Sequence, residues 1–125
     1  VMVTRKGIIK RTPLGAYKNV RRMGLIAIGL DDGDELAWVR QTDGTSELII
    51  ATKNGMAIRF DEQDARPLSR TARGVKAITL EDGDEVVGMA RVRKESGATL
   101  LTVSESGLGR RTEVSQYRLQ SRGGK

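Results

Sequence analysis

Hydrophobic residues in this chain fall in short runs separated by glycine, aspartate and asparagine. Runs such as Val1–Thr4, Ile8–Thr12 and Glu47–Thr52 alternate with turn residues, which is typical of β-strands joined by tight turns. The dipeptide Asp43-Gly44 is a strong hairpin signal. No segment longer than a single turn has helical periodicity, so the pattern predicts an all-β protein.

A nine-residue phrase occurs three times, at residues 4–12, 52–60 and 104–112. Each copy has a hydroxyl residue, a polar pair, a glycine and a strand-like run that ends in basic and small or apolar residues. A second phrase, Gly24–Leu36, recurs as Gly74–Val86. The shared period of about fifty residues lies in the range of propeller blades. We therefore predict repeats over residues 1–51 and 52–103, with a partial third repeat over 104–125.

Each repeat is expected to supply about four strands, which is the number in a propeller blade. In the first repeat, Leu25–Leu30 is predicted as a strand, whereas Leu14–Tyr17 is too short for more than a helical turn. In the second repeat, Val75–Leu80 and Glu85–Val92 are predicted as strands. An SH3-like or OB-type barrel would not explain the period, so we predict a propeller-like array of about two and a half blades.

Composition narrows the possible chemistry. The chain has neither cysteine nor histidine, so a disulfide framework, a thiolate metal site and a histidine general base are excluded. The acidic turns Asp31–Glu35 and Glu81–Glu85 do not have EF-hand spacing, and an Asp-Gly turn between strands explains them without a metal. Neither a membrane-spanning apolar run nor a signal peptide is evident, and we expect a non-catalytic cytoplasmic protein.

The net charge of +6 and the isoelectric point near 10.1 favour an anionic partner, above all nucleic acid. Basic residues collect in the repeated hairpins and in the connections that follow them, so equivalent positions of successive blades should form one basic stripe. A structural alternative for the repeated arginines is that their aliphatic stems cover apolar surface. The residues predicted to bind DNA are Lys10, Arg11, Arg21, Arg22, Arg59, Arg70, Arg73, Arg110, Arg111, Arg122 and Lys125.

Five phrases together resemble the C-terminal domain of the DNA gyrase A subunit, and the similarity runs through essentially the whole chain. They are residues 10–12, 30–36, 54–60, 70–75 and 107–112. The resemblance implies a β-pinwheel, in which neighbouring four-stranded blades exchange a strand and a basic rim wraps double-stranded DNA. Gln120–Lys125 is similar to the wrapping box of that family, although Ser121 departs from its basic second position and the final glycine is absent. The alternative, which we favour, is that this segment is the third copy of the connection that contains Arg73-Gly74.

The resemblance also implies partners that belong to a complete enzyme. These are the dimer of A subunits and the gyrase B subunit, with ATP and Mg²⁺ used by the whole assembly for negative supercoiling. Neither Tyr17 nor Tyr117 follows an arginine, so neither matches the catalytic tyrosine of the family. The alternatives are a protein-interaction propeller and the equivalent domain of the topoisomerase IV A subunit. We expect a piece of a longer protein, which self-associates through open blade edges.

Overall fold

The computed structural model describes residues 1–125 and contains nine β-strands and three 3₁₀ helices. The prediction of an all-β fold is confirmed, and the helical turn expected at Leu14–Tyr17 is the first 3₁₀ helix. The other two 3₁₀ helices follow later strands, at Glu62–Asp64 and Val114–Gln116. The strands are β1 (Met2–Thr4), β2 (Ile8–Lys10), β3 (Leu36–Val39), β4 (Ser46–Thr52), β5 (Ala57–Asp61), β6 (Val75–Lys76), β7 (Val86–Arg93), β8 (Thr99–Val103) and β9 (Gly109–Glu113).

The first sheet is antiparallel and has the strand order β3-β1-β2-β6. Its hairpin β1–β2 turns at Gly7, whose φ of +84° is a conformation that favours glycine. The edge strand β6 comes from the second repeat, and pairs Ile8 with Lys76 and Ile9 with Val75. Two successive repeats therefore share one sheet, which is the strand exchange implied by the resemblance.

The second sheet has the order β5-β4-β7, and the third contains only β8 and β9. The third repeat adds no strand to the second sheet, but it contacts that sheet through a bridge that is equivalent to one between the first two repeats. The backbones of Arg11 and Pro67 form an isolated parallel β-bridge, and those of Arg59 and Leu119 form an equivalent one. The two interfaces therefore have this bridge in common, and the pairing of β6 with β2 is found only at the first of them.

The main core lies between the first two sheets. Ile9 and Phe60 have no exposed surface, and they pack with Ala77 and Ile78 of the segment that follows β6. A smaller cluster of Ile49, Val92 and Val114 joins the second and third repeats. Since Phe60 is the one phenylalanine of the chain, these cores are mainly aliphatic, as the composition indicates.

The strand predicted at Leu25–Leu30 is not formed. Its counterpart in the second repeat, β6, is a strand because it pairs with β2 of the repeat before it. Within residues 1–125 no repeat precedes the first, so this segment has no strand beside it. The strand predicted at Val75–Leu80 is also shorter than expected, since its regular pairing ends at Lys76. The limits of the sequence repeats stay a prediction.

Candidate nucleic-acid interface

Three connections, defined as residues 18–30, 66–80 and 118–125, follow the 3₁₀ helices of the three repeats. The first two lie against each other. The backbone N–H of Gly29 donates to the carbonyl of Ala72 at 3.0 Å, and Nη1 of Arg70 donates to the carbonyl of Ile26 at 2.7 Å. Neighbouring repeats therefore place equivalent connections side by side.

The second and third connections touch in the same way. The N–H of Gly123 donates to the carbonyl of Ala77 at 2.7 Å, and the N–H of Thr79 donates to the carbonyl of Gly124 at 2.8 Å. Nη1 of Arg122 donates to the carbonyl of Lys76 at 3.0 Å. The three connections therefore form a continuous row across the array.

This row is strongly basic. The three connections contain ten lysine and arginine residues and no aspartate or glutamate. With no acidic side chain inside the row, its positive potential is reduced only by carboxylates at its margin. Eight of the ten basic residues are exposed, namely Lys18, Arg21, Arg22, Arg66, Arg73, Lys76, Arg118 and Lys125.

Lys10 lies inside the protein, and its predicted contact with DNA is not compatible with that position. The side chain is fully buried. Its ammonium donates to the carbonyl oxygens of Ala27 and Ser69 at 2.7 and 3.1 Å, and also to that of Arg70. Burial, followed by the charge of Arg70, lowers the pKa of Lys10. The residue joins the first two connections to β2.

Arg11 and Arg59 also hold neighbouring repeats together. The Arg11 guanidinium donates to the carbonyl of Ala65 and lies 3.3 Å from the buried carboxylate of Glu62. Arg59 pairs with Glu47 and donates to the carbonyl of Tyr117 at 2.9 Å. Their side chains are only 12% and 15% exposed, so we leave both out of the DNA-binding surface proposed below.

The remaining residues that were predicted to bind DNA divide into three groups. Arg70 and Arg122 are half-buried in the row and donate to backbone carbonyls. Arg73 is exposed and lies 2.7 Å from the Asp31 carboxylate. The others are exposed: Arg21, Arg22 and Lys125 in the row, and Arg110 and Arg111 on β9.

Sequence reasoning missed the basic residue that begins each connection. Lys18, Arg66 and Arg118 each follow the position occupied by tyrosine or alanine at the end of a 3₁₀ helix, and all three are exposed. The signal was present, because their spacing of 48 and 52 residues equals the spacing of the repeated glycines at 7, 55 and 107. The arginines of the repeated strands have the same spacing, so periodicity alone does not separate the two sets of basic residues.

Carboxylates of the two acidic turns accept hydrogen bonds from backbone N–H groups. The carboxylate of Asp34 accepts the N–H of Lys6 at 3.0 Å, and the carboxylate of Asp84 accepts the N–H of Asn54 at the same distance. Each of these carboxylates binds the hairpin turn of its own repeat. Their recurrence in the sequence is therefore explained by turn structure.

Interlocked antiparallel sheets, repeated about every fifty residues and joined by a basic row, define the chain as part of a strand-exchanging β-propeller. No helix in the structure is long and apolar enough to cross a membrane. The family model described as the DNA gyrase C-terminal domain, β-propeller, matches residues 1–43, 46–93 and 98–125. The chain belongs to this family.

Individual relatives agree with this assignment. The chain is 48% identical to the DNA gyrase A subunit of Haloquadratum walsbyi over 124 residues and 46% identical to that of Staphylococcus aureus over 125 residues. These matches cover 99% and 100% of the chain but 14% of each relative. The chain thus spans about a seventh of the length of these relatives.

Solved structures show the same fold. The C-terminal domain of a DNA topoisomerase IV matches with a TM-score of 0.93 and 30% identity, over 99% of this chain and 38% of that one. A DNA gyrase A C-terminal domain matches with a TM-score of 0.85 and 30% identity, over 98% of this chain and 40% of that one. The similarity therefore extends to C-terminal domains of both DNA gyrase and DNA topoisomerase IV.

Proposed function

We propose that this chain is a non-catalytic DNA-binding module that bends duplex DNA along its row of basic connections. The observation that carries the proposal is the row itself, in which ten basic residues of three adjacent connections occur without an acidic residue. Phosphate contacts from lysine and arginine release condensed counterions and need no base recognition. A continuous row of such contacts suits a polyanion that is bent across it.

Membership of the gyrase family extends the proposal to a complete enzyme. In that setting the module would present a DNA segment to the cleavage domain of the A subunit. The ATP-dependent strand passage, with Mg²⁺ and the B subunit, would then introduce negative supercoils. This chain would supply the phosphate contacts, and the chemistry of cleavage and ATP hydrolysis would lie elsewhere in the enzyme.

The second candidate is the corresponding module of topoisomerase IV, which the TM-score of 0.93 to such a domain favours. The two proposals differ in how far DNA would follow the row. A gyrase module should bind longer duplexes more tightly as further phosphates reach the surface. A topoisomerase IV module should engage a shorter segment, so its affinity should reach a plateau at a shorter duplex length.

The test is duplex affinity measured against salt for a variant that removes the first charge of every connection. Changing Lys18, Arg66 and Arg118 together to glutamine should make the negative slope of log K against log salt shallower by about 3, since each phosphate contact contributes about −0.9. The loss should be similar for unrelated DNA sequences.

A matched control removes three exposed basic residues that lie outside the connections, by changing Lys53, Arg91 and Arg93 to glutamine. Both variants lose the same net charge, so a general effect of charge would weaken them equally. The proposal predicts that the control keeps the slope of the unchanged protein. Equal slopes for the two variants would refute the row as the DNA-binding surface.

A further inference from the structure

Lys10 is a buried cation that has no carboxylate partner. Its side chain has no exposed surface, and none of the ion pairs in the structure includes it. An ammonium group has three donors, and here three carbonyl oxygens accept them. The carbonyls of Ala27 and Ser69 lie at 2.7 and 3.1 Å, and the third belongs to Arg70. Because burial of a charge is costly without such bonds, the three carbonyls hold the ammonium group in place.

The three carbonyl groups belong to two different connections. Ala27 lies in the first connection, whereas Ser69 and Arg70 lie in the second. Apart from Lys10, two hydrogen bonds join these connections, one from the N–H of Gly29 and one from the guanidinium of Arg70. Lys10 itself lies on β2, which pairs with β1 and β6. One ammonium group therefore fixes both connections to the same strand.

A junction between repeats does not require a lysine at this position. In the second repeat the position is occupied by Ile58, which is also fully buried. Its Cδ1 lies 3.7 Å from a Cβ atom placed at Gly124, so it lies against the third connection. The carbonyl of Ala77, the counterpart of Ala27, accepts the N–H of Gly123 at 2.7 Å. The second junction therefore closes through its backbone, and an apolar side chain is compatible with the fold.

We propose that Lys10 is a positioning residue for DNA binding, an inference that rests on the function proposed above. Its ammonium group holds the first two connections at the relative placement in which their exposed cations reach successive phosphates. Lys10 does not touch DNA, and it acts through the residues that these connections carry. The exposed basic residues of the two connections are Lys18, Arg21, Arg22, Arg66, Arg73 and Lys76.

The experiment measures duplex affinity against salt concentration for Lys10→Met and for the unchanged protein. The variant should make the negative slope of log K against log salt shallower by about 2, which corresponds to two phosphate contacts of about −0.9 each. Because Lys10 has no exposed surface, those contacts are lost by other residues. Lys53→Met removes the same charge at an exposed position outside the connections and should keep the slope. Lys10→Ile introduces the residue of the second repeat and should behave like Lys10→Met.

Amide hydrogen exchange measures the placement of the connections directly. The N–H of Gly29 donates to Ala72 across the first two connections, and in Lys10→Met it should exchange about tenfold faster. The N–H of Gly123, at the second junction, should keep its rate. Ile49→Val removes a buried methylene group from the smaller core cluster, and it controls for a loss of stability alone. It should change neither the slope nor the exchange of Gly29.

The two measurements together decide the inference. A shallower slope with faster exchange at Gly29 supports it. Faster exchange with an unchanged slope would overturn it, because DNA binding would then not depend on how the connections are held, and an unchanged exchange rate would overturn it as well. The triple variant of Lys18, Arg66 and Arg118 separates this inference from the proposed function. If that variant loses the steep slope while Lys10→Met keeps it, the row binds DNA and only the role of Lys10 is wrong.

Discussion

Replacing Glu62 by alanine tests whether the buried ion pair between the first two repeats stabilises the fold. Glu62 has no exposed surface. Its carboxylate accepts the hydroxyl of Thr42 at 2.7 Å and the N–H of Ser46 at 2.8 Å, and it lies 3.3 Å from the Arg11 guanidinium. The change removes three interactions. It leaves the charge of Arg11 and the N–H group of Ser46 without the carboxylate that pairs with both.

The size of the loss follows from those two groups. Removing one partner of a buried ion pair costs about 3–5 kcal/mol, and a buried N–H left unpaired costs about 1–3 kcal/mol. Arg11 still has its hydrogen bond to the carbonyl of Ala65. The two costs also arise at the same site, so they do not add fully. We expect Glu62→Ala to lower the free energy of unfolding by about 3 kcal/mol, a large part of the roughly 5–15 kcal/mol of a typical domain.

Urea unfolding followed by circular dichroism, at one fixed protein concentration, measures this loss. Glu81→Ala is the matched control, because it also removes a glutamate but at an exposed position, and it should change the free energy by less than about 0.5 kcal/mol. A loss below about 1 kcal/mol for Glu62→Ala, with an unchanged denaturant slope, would show that water replaces the carboxylate at little cost. The ion pair would then not be what joins the two repeats.

Two further perturbations test the packing between repeats and its response to pH. Gly74→Ala should destabilise the fold by more than Gly24→Ala in thermal unfolding. Both residues have positive φ, but only at Gly74 would the new methyl group meet the carbonyl of Ile9; equal losses would contradict this close approach. Asp61→Asn should lower stability near neutral pH but not in strong acid. A hydrogen bond from Lys94, followed by one from the backbone, lowers the pKa of Asp61 in the folded protein. The carboxylate of Asp61 therefore stabilises the fold at pH values above the pKa of the unfolded chain, and this stabilisation is lost as the pH falls through the pKa of the folded protein. A stability difference between the two proteins that does not depend on pH would refute this.

The fold class could be predicted from the sequence because its signals are local. Alternation of apolar residues, the repeated glycines and the Asp-Gly turns each depend on neighbours a few residues away. The strand at Leu25–Leu30 was predicted wrongly for the opposite reason. A strand edge is satisfied only by another strand, and the partner of this segment would belong to a preceding repeat, whereas β6 has β2 beside it.

The exchange of strands between repeats could not be obtained from periodicity alone. A period of about fifty residues is the same whether each sheet is built from one repeat or borrows an edge from the next. The pinwheel was implied only by the resemblance, and the pairing of Ile9 with Val75 shows it directly. The pairing register between distant segments depends on which strand edges remain unpaired after the local hairpins form. Those free edges are determined by the assembled array and not by the local sequence.

The basic residues show why recurrence alone does not identify a binding site. Arg11 and Arg59 recur because every junction between repeats needs the same hydrogen bond to a carbonyl, and their charges are balanced by Glu62 and Glu47. The basic residue that begins each connection recurs as well, but its connection contains no acidic residue. A recurrent cation next to a buried carboxylate stabilises the array, whereas a recurrent cation in a segment without carboxylates has no such partner inside that segment, which is why the DNA-binding surface is proposed there.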